Sequence, residues 1–252
     1  MADTLAGLLS DPRYWIALGA AALAGLVRGF SGFGGAMVFM PLASLVFEPK
    51  LAAVWLLAAD TIASVSMLPD AVRRCVWREV LPLAAGAIVA IPFGVHLLVI
   101  ADADTIRWVI CILILLVVML MARGWRYRRR LGPAATLGTG ALAGLSGGTT
   151  GLSGPPVVLL WLGGQGNAAT VRANLVSFFF ITAMAMVAAY WWNGLFTAES
   201  LSGAVLLTAA YWLPLWIGSH LFARSSERQF RIAALALCAF AALAGLPLWR
   251  GF

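Results

Sequence analysis

Charged residues are scarce in this chain. Only 11% of its 252 residues are Asp, Glu, Lys or Arg, whereas an ordinary soluble domain carries about 25%. Hydrophobic residues make up 62% of the chain. A water-soluble domain of this length cannot bury so much apolar surface, so the composition excludes a soluble globular protein and predicts that most of the chain lies in lipid.

Cysteine and histidine are also rare. The three cysteines, Cys75, Cys111 and Cys238, form no CxxC pair, and the two histidines, His96 and His220, are far apart in the sequence. This pattern indicates neither a disulfide framework nor a metal site, and it offers no pair of groups that would converge for catalysis. We therefore expect a protein with no metal, no cofactor and no enzymatic activity.

The net charge of +7 comes from arginines in short segments between apolar runs. A nucleic-acid partner would need one broad basic face, so we interpret these arginines as topology signals and expect no nucleic-acid binding. They fall into three connections: Arg73, Arg74 and Arg78; Arg123, Arg126, Arg128, Arg129 and Arg130; and Arg224, Arg228 and Arg231. The positive-inside rule predicts that all three are cytoplasmic and that both termini are periplasmic, in a bacterial inner membrane.

Six apolar runs are long enough to cross a bilayer, which takes about 20 helical residues. They are Leu51 to Leu68, Leu81 to Ile100, Ile106 to Ala122, Val171 to Trp192, Leu201 to Phe222, and Phe230 to Leu248. Tryptophans near their edges suit the interface between lipid and water. Each run therefore predicts a transmembrane helix.

Two further apolar stretches are each interrupted by a glycine-rich segment. They run from Tyr14 to Phe47 and from Pro133 to Leu162, and they hold 34 and 30 residues. One span needs about 20 helical residues and two spans need about 40, so each stretch is too long for one and short for two. We expect a re-entrant hairpin of two half-helices with its glycine-rich tip inside the membrane. Two short tilted spans are the alternative.

An internal repeat relates the two interrupted stretches. Ala24 to Leu42 and Ala143 to Trp161, 119 positions apart, share seven identities in 19 positions, and four of these are glycines. Small residues are common in membrane helices, but the matched glycine spacing argues against chance. The cytoplasmic connections give the two halves opposite orientations. The predicted fold is an all-α integral membrane protein with two inverted-topology repeats, 1–130 and 131–252, each a re-entrant or broken helical hairpin plus three transmembrane helices.

The interruptions are the predicted functional site. At the start of a half-helix the first amide hydrogens lack intrahelical partners and the helix dipole adds partial positive charge, so together they favour an anion. Glycine allows close approach to the backbone, and hydroxyls are further donors. The predicted substrate-binding residues of the two tips are Ser31, Gly32, Gly34, Gly35, Thr149, Thr150, Gly151, Ser153 and Gly154. The alternative is that the glycines only let helices pack closely.

Two arginines and two other polar residues complete the predicted site. Arg28 lies at the first tip, where an unpaired charge would cost roughly 2.5–3.5 kcal/mol or more. A bound anion or Asp60 can compensate it, and the two can alternate, which makes Asp60 the candidate for proton coupling; a permanent structural ion pair is the alternative. Arg172 and Asn174 open the equivalent helix of the second half, where they are predicted to line the site. An ordinary interfacial arginine is the alternative for Arg172.

The helix breaks also carry a family resemblance. The segments GLVRGFSGFGGAMVFMPL and GLSGGTTGLSGPPVVLLWL, one in each half, resemble the TauE/SafE family of membrane anion transporters, also called the sulfite exporter family. The family pattern often has three successive glycines before the apolar half-helix; here Ala36 takes the third place, and the second half reads Ser153, Gly154, Pro155. The resemblance implies transport, often export, of sulfite, sulfoacetate, related sulfur-containing anions or organic acids, typically linked to the proton motive force.

Broken segments at matching places of two inverted repeats are typical of a transporter binding site. We therefore expect a secondary transporter that works as a proton-coupled exporter. Its expected partners are a small anionic substrate and the surrounding lipid. An anion channel and an importer of the same substrate class are the first alternatives. A membrane-embedded enzyme and a non-transporting assembly subunit are the remaining ones.

Overall fold

The computed structural model describes residues 7–123, 132–162, 168–222 and 227–248. Within these residues the regular secondary structure is helical, without any strand, which confirms the predicted all-α class. The main helices are α1 Pro12–Ser31, α2 Gly35–Val46, α3 Pro49–Val65, α4 Leu68–Arg74, α5 Trp77–Ile100, α6 Ala103–Ala122, α7 Pro133–Thr150, α8 Gly154–Leu162, α9 Ala168–Trp192, α10 Ala198–Phe222 and α11 Glu227–Ala244.

Five of the described helices are long and apolar enough to cross a membrane. These segments are Pro12–Ser31, Trp77–Ile100, Ala103–Ala122, Ala169–Trp192 and Ser200–His220. Four of them correspond to predicted spans. The other two predicted spans are also helical but shorter: α3 ends at Val65 and α4 begins at Leu68, and the apolar part of α11 covers only Leu235–Ala244.

The two helices of each broken hairpin are unequal in length. In the first hairpin α1 has 20 residues and α2 has 12, and in the second α7 has 18 and α8 has nine. At a rise of about 1.5 Å per residue, α1 is about 30 Å long, enough to cross a bilayer. It begins earlier than the apolar run because the Asp11 side chain accepts a hydrogen bond from the backbone N–H of Arg13 (2.9 Å) and caps the helix.

The long helix of each hairpin packs against a helix from the other half of the chain. Helix α1 lies along α10, and α7 lies along α5, with glycines where the helices cross. The glycines and the residues whose backbone they face are Gly25 with Tyr211, Gly29 with Leu215, Gly144 with Ala87, and Gly148 with Ile91. A side chain at any of these glycines would collide with the facing backbone carbonyl. The glycines therefore set how closely the two halves interlock.

One end of the bundle carries the first of the predicted basic connections, the one with Arg73 and Arg74. Arg73 and Arg74 are exposed at the end of α4, and Ala71 of the same helix packs against Ala173 and Val176 near the start of α9. We call this the basic end. The predicted boundary at residues 130 and 131 lies outside the described residues, and so do these predicted topology arginines: Arg126, Arg128, Arg129, Arg130 and Arg224, together with the side chains of Arg228 and Arg231.

Aromatic side chains pack around Trp55 toward the opposite end. Its indole nitrogen donates to the backbone oxygen of Ser200 (3.0 Å), and the hydroxyl of Tyr14 donates to the backbone oxygen of Gly203 (2.5 Å). The Trp55 ring makes edge contacts with the rings of Tyr14 and Phe47, at centroid distances of 5.7 and 4.9 Å. These contacts join α1, α3 and α10, so the helices that carry the broken hairpin and Asp60 are held together at this end.

Candidate functional site

Both hairpins break at a glycine in the left-handed region of backbone space. Gly32 follows α1 with φ 76°, and its N–H donates to the backbone oxygen of Arg28. Gly151 follows α7 with φ 74°, and its N–H donates to the oxygen of Gly147. This C-terminal cap favours glycine because a side chain is strained at positive φ. The two caps lie 119 positions apart, at the spacing of the sequence repeat.

The two breaks line one cavity of about 70 Å³. We call it the tip cavity. It is lined by Arg28, Gly34, Gly35, Ala36, Met37, Ala53, Leu56, Leu57, Asp60, Gly151, Leu152, Ser153, Gly154, Pro155, Phe179, Thr182, Ala183 and Met186. Seven of the residues predicted from sequence are therefore brought together: Arg28, Gly34, Gly35, Asp60, Gly151, Ser153 and Gly154.

The tip cavity extends from Arg28 and Asp60 away from the basic end. Helix α3 contributes Asp60 and, one to two turns earlier, Leu57 and Ala53. Helix α9 runs in the opposite direction, and it contributes Phe179 and then Met186 two turns later. Both helices thus line the cavity with the halves that point away from the basic end. On the side of the basic end, Arg172 and Asn174 of α9 instead form hydrogen bonds with α1 and with residues at the start of α5.

The start of α2 presents amide groups to the tip cavity. Gly34 is the N-cap, with φ 86°, and no side chain caps this helix. Gly35, Ala36 and Met37 form its first turn, where backbone N–H groups have no intrahelical acceptor. Such a helix start carries partial positive charge. The first tip therefore faces the cavity with several hydrogen-bond donors and a favourable electrostatic potential for an anion.

Arg28 and Asp60 form an ion pair at the wall of the tip cavity. The Nε of Arg28 lies 2.9 Å from Oδ1 of Asp60, and a terminal guanidinium nitrogen lies 3.2 Å from Oδ2. The other terminal nitrogen donates to the backbone oxygen of Gly32, and the guanidinium stacks on the ring of Phe179 at 4.5 Å. Tyr211 donates its hydroxyl to Oδ1 of Asp60 (2.7 Å). Asp60 thus compensates the charge of Arg28, which is one of the alternatives that the sequence left open.

Three predicted hydroxyls serve the backbone rather than the cavity. The Ser31 hydroxyl lies within hydrogen-bond distance of the backbone oxygens of Val27 and Phe33, that of Thr149 lies near the oxygens of Leu145 and Gly94, and Thr150 donates to Ser146. None of them lines the tip cavity, and neither does Gly32, whose role is the helix cap. Each of these hydroxyls thus reaches the carbonyl four residues earlier in its own helix, as helical Ser and Thr often do.

Neither Arg172 nor Asn174 lines the tip cavity, although the Arg172 side chain lies beside Gly32 at the first break. A terminal nitrogen of Arg172 donates to the backbone oxygen of Gly29 (2.6 Å). Asn174 accepts from the backbone N–H of Val76 (2.7 Å), and its amide nitrogen lies 3.2 Å from Oε2 of Glu79. The two predicted residues therefore connect α9 to α1 and to the start of α5.

The sequence model of the family described as Sulfite exporter TauE/SafE matches residues 17–245. The chain belongs to this family. Neither the curated proteins nor the solved structures gave a match. The matched range contains both helix breaks and the entire tip cavity. As a member of the TauE/SafE family with several spanning helices, the chain is a multi-pass membrane protein of a transporter family.

The TauE/SafE site contains residues that the sequence did not single out. Tyr211 approaches both Asp60 and Gly35, Phe179 stacks on Arg28, and Thr182 lines the tip cavity. A tyrosine inside the apolar run Leu201 to Phe222 was the one available signal for Tyr211. Among the described residues no three His, Cys, Asp or Glu side chains come close enough to hold a metal ion.

Proposed function

We propose that this protein is a secondary transporter that moves a small organic or sulfur-containing anion, such as sulfite or sulfoacetate, across the bacterial inner membrane. In this proposal it is an exporter coupled to protons. The observation that carries the proposal is that two glycine-capped helix breaks, one from each half, line one cavity that also receives the uncapped start of α2. Membership of a sulfite exporter family supports the same substrate class.

The size and walls of the tip cavity favour a small anion. One water molecule needs about 10–15 Å³ of such space, and the cavity offers about 70 Å³. The space therefore suits a handful of heavy atoms. Polar groups are concentrated at the tips and Asp60, while Ala53, Leu56, Leu57 and Met186 form an apolar wall. Such a wall accommodates either the bare head of sulfite or a short carbon chain attached to an acidic group.

We expect Ala36→Pro to weaken anion binding by about 10- to 100-fold, the effect of losing one hydrogen bond to a charged group. Proline removes the N–H of the second residue of α2, yet it fits the first turn of a helix. The chain already has Pro155 at the same place in α8. Ala36→Val keeps the amide and is the matched control. The KM for sulfite uptake in proteoliposomes measures the effect, and equal KM values for both variants would remove the Ala36 amide from the site.

Proton coupling is proposed to act through Asp60. A proton on Asp60 removes its negative charge and frees the guanidinium of Arg28 for the anion. Loss of the proton restores the ion pair and displaces the anion. Tyr211 keeps the carboxyl in place because its hydroxyl can donate to either oxygen in both protonation states. The anion and the proton would thus move in the same direction, so net export requires an outward anion gradient that exceeds the inward proton gradient.

Alternating access is proposed to open the basic end when the opposite side of the tip cavity closes. The contacts of Arg172 with Gly29 and of Asn174 with Val76 and Glu79 would then separate. In the proposed orientation the basic end is cytoplasmic, and these contacts support a state closed toward the cytoplasm. The two inverted repeats would exchange their arrangements between the two states.

We expect Asn174→Ala to increase the population of the state that is open at the basic end, because it removes the contacts with Val76 and Glu79. Cys75 lies in this region and is partly buried, whereas Cys111 and Cys238 are buried. Alkylation of Cys75 by a membrane-impermeant maleimide, applied at the basic end, should therefore accelerate several-fold. Asn193 is exposed, and its side chain donates to the backbone oxygen of Ala189 in α9. Asn193→Ala should therefore leave the rate unchanged. A rate unaffected by Asn174→Ala would remove these contacts from the proposed closure.

The transport proposal itself is tested by counterflow in proteoliposomes. Vesicles loaded with unlabelled sulfite should accumulate labelled sulfite transiently and with saturation, and uptake should respond to an imposed pH gradient. Sulfoacetate, thiosulfate and short carboxylates tested as competitors define the substrate range. Flux that does not saturate and shows no counterflow would identify a channel instead. No anion flux, and no ligand effect on thermal stability, would contradict the proposal.

A further inference from the structure

The two helix starts at the tip cavity differ in their supply of backbone donors. In α2 the first three residues, Gly35, Ala36 and Met37, all have an N–H. In α8 the first residue is Gly154, and the next two are Pro155 and Pro156, which have none. The second tip therefore offers far fewer helix-start amides than the first tip does.

The two prolines also deprive Ser153 of its usual role. A serine before a helix normally accepts a hydrogen bond from the N–H of the second or third helical residue. Here both of those residues are prolines, so Ser153 cannot form this bond with either of them. Because neither proline has an N–H to donate, the serine hydroxyl is available to another partner.

Ser153 lies at the cavity, and no described residue is a partner for its hydroxyl. The residue is only 7% exposed, it lines the tip cavity, and no described residue forms a hydrogen bond with its side chain. The nearby hydroxyls of Ser146 and Thr150 are different, because they donate to the backbone oxygens of Leu152 (2.9 Å) and Ser146 (2.7 Å). The Ser153 hydroxyl is therefore available to a ligand in the cavity.

Gly147 leaves the space that the Ser153 side chain occupies. A Cβ at Gly147 would collide with the oxygen of Ser153. The serine side chain therefore lies directly against the backbone of α7, while Gly154 on its other side meets the ring of Phe179 at ordinary contact distance. Its hydroxyl is thus positioned by packing rather than by a hydrogen bond within the protein.

We propose that Ser153 is a specificity-determining residue that donates its hydroxyl hydrogen to the transported anion, opposite the amides of α2. This inference rests on the proposed function, since it assigns a ligand contact within the same site. The two tips then have different roles: α2 supplies amides and helix-start potential, and the second tip supplies one directional hydroxyl. An oxyanion has separate acceptor oxygens that can accept from the two tips at once, so the arrangement suits an oxyanion.

The first test compares Ser153→Ala with Ser153→Thr. Alanine should raise the KM for sulfite about tenfold with little change in Vmax or thermal stability, because it removes one bond to a charged ligand. Threonine keeps the hydroxyl and should largely restore the KM. Ser146→Ala, at a hydroxyl of the same tip that does not line the cavity, should leave the KM unchanged.

A second test uses the prolines. Pro156→Ala restores an N–H that Ser153 can cap, so it should turn the hydroxyl oxygen toward α8 and raise the KM for sulfite. The same substitution in a Ser153→Ala background should have no further effect on the KM. This non-additivity is specific to the proposed role, since a general distortion of α8 would act in both backgrounds.

The outcomes separate the two proposals. If the wild-type protein transports no anion, the proposed function fails. If the wild type transports sulfite and Ser153→Ala keeps its KM, only the role of Ser153 is overturned. A fall in Vmax and thermal stability at unchanged KM would also overturn it, because that result describes a packing residue.

Discussion

Arg28→Ala should abolish anion transport and destabilise the protein. Arg28 is 4% exposed, and Asp60 faces it at 2.9 Å, so its removal leaves a carboxylate in the membrane with only Tyr211 as a described hydrogen-bond donor. Breaking a buried pair at one partner costs about 3–5 kcal/mol. Under the proposed mechanism the same guanidinium binds the anion. The flux of sulfite in proteoliposomes and Tm in detergent measure the two effects separately.

Asp60→Asn separates the coupling role from the structural one. The amide mimics the protonated carboxyl, so anion binding should persist while transport no longer responds to the pH gradient. Arg28→Lys is the matched control for charge, since it keeps a cation but loses the two-point contact with the carboxylate. It should retain measurable flux with a lower affinity. Full transport by Arg28→Ala would exclude Arg28 from the mechanism, and an intact response to the pH gradient in Asp60→Asn would exclude Asp60 as the proton site.

The helices were predictable because their signals are local. Runs of apolar residues long enough for a bilayer defined α5, α6, α9 and α10. The glycines at the breaks were also local signals, and Gly32 and Gly151 do terminate helices with positive φ. The start of α1 was not predicted, because it depends on the Asp11 cap outside the apolar run rather than on hydropathy.

The contacts around Arg28 needed the three-dimensional arrangement. The sequence proposed Asp60 as its partner because both are isolated charges in apolar runs, and the two do form an ion pair. It offered no comparable reason for Phe179 or Tyr211, since aromatic residues are common throughout this chain and only the packing of α9 and α10 selects these two. Long-range packing decides such neighbours.

Arg172 and Asn174 show the opposite situation. Their place at the start of the second half's helix suggested the site, by analogy with the first half. Neither side chain lines the tip cavity. Arg172 lies beside Gly32 at the first break and donates to Gly29 (2.6 Å), and Asn174 accepts from Val76 (2.7 Å). Position within a repeat identifies the helix but not the direction of a side chain, because that direction depends on rotation about the helix axis.

Alanine substitutions at the glycines between the halves are expected to have the second-largest effect. Gly29→Ala and Gly144→Ala each place a Cβ against the backbone carbonyl of Leu215 or Ala87. Backbone cannot move aside as a side chain does, so the helices must separate. Overpacking a well-packed site costs about 1–3 kcal/mol. Thermal denaturation in detergent should show a lower Tm for each variant, together with reduced transport.

The same two helices contain matched controls. Gly19 in α1 and Gly138 in α7 have no atom within 4 Å of an added Cβ. Alanine there should raise the stability by up to about 1 kcal/mol, because glycine is the poorer helix former. The interface and control variants should therefore shift Tm in opposite directions. A uniform shift at all four sites would mean that helix propensity alone explains the data. The close crossings of α1 with α10 and of α7 with α5 would then not hold the two halves together.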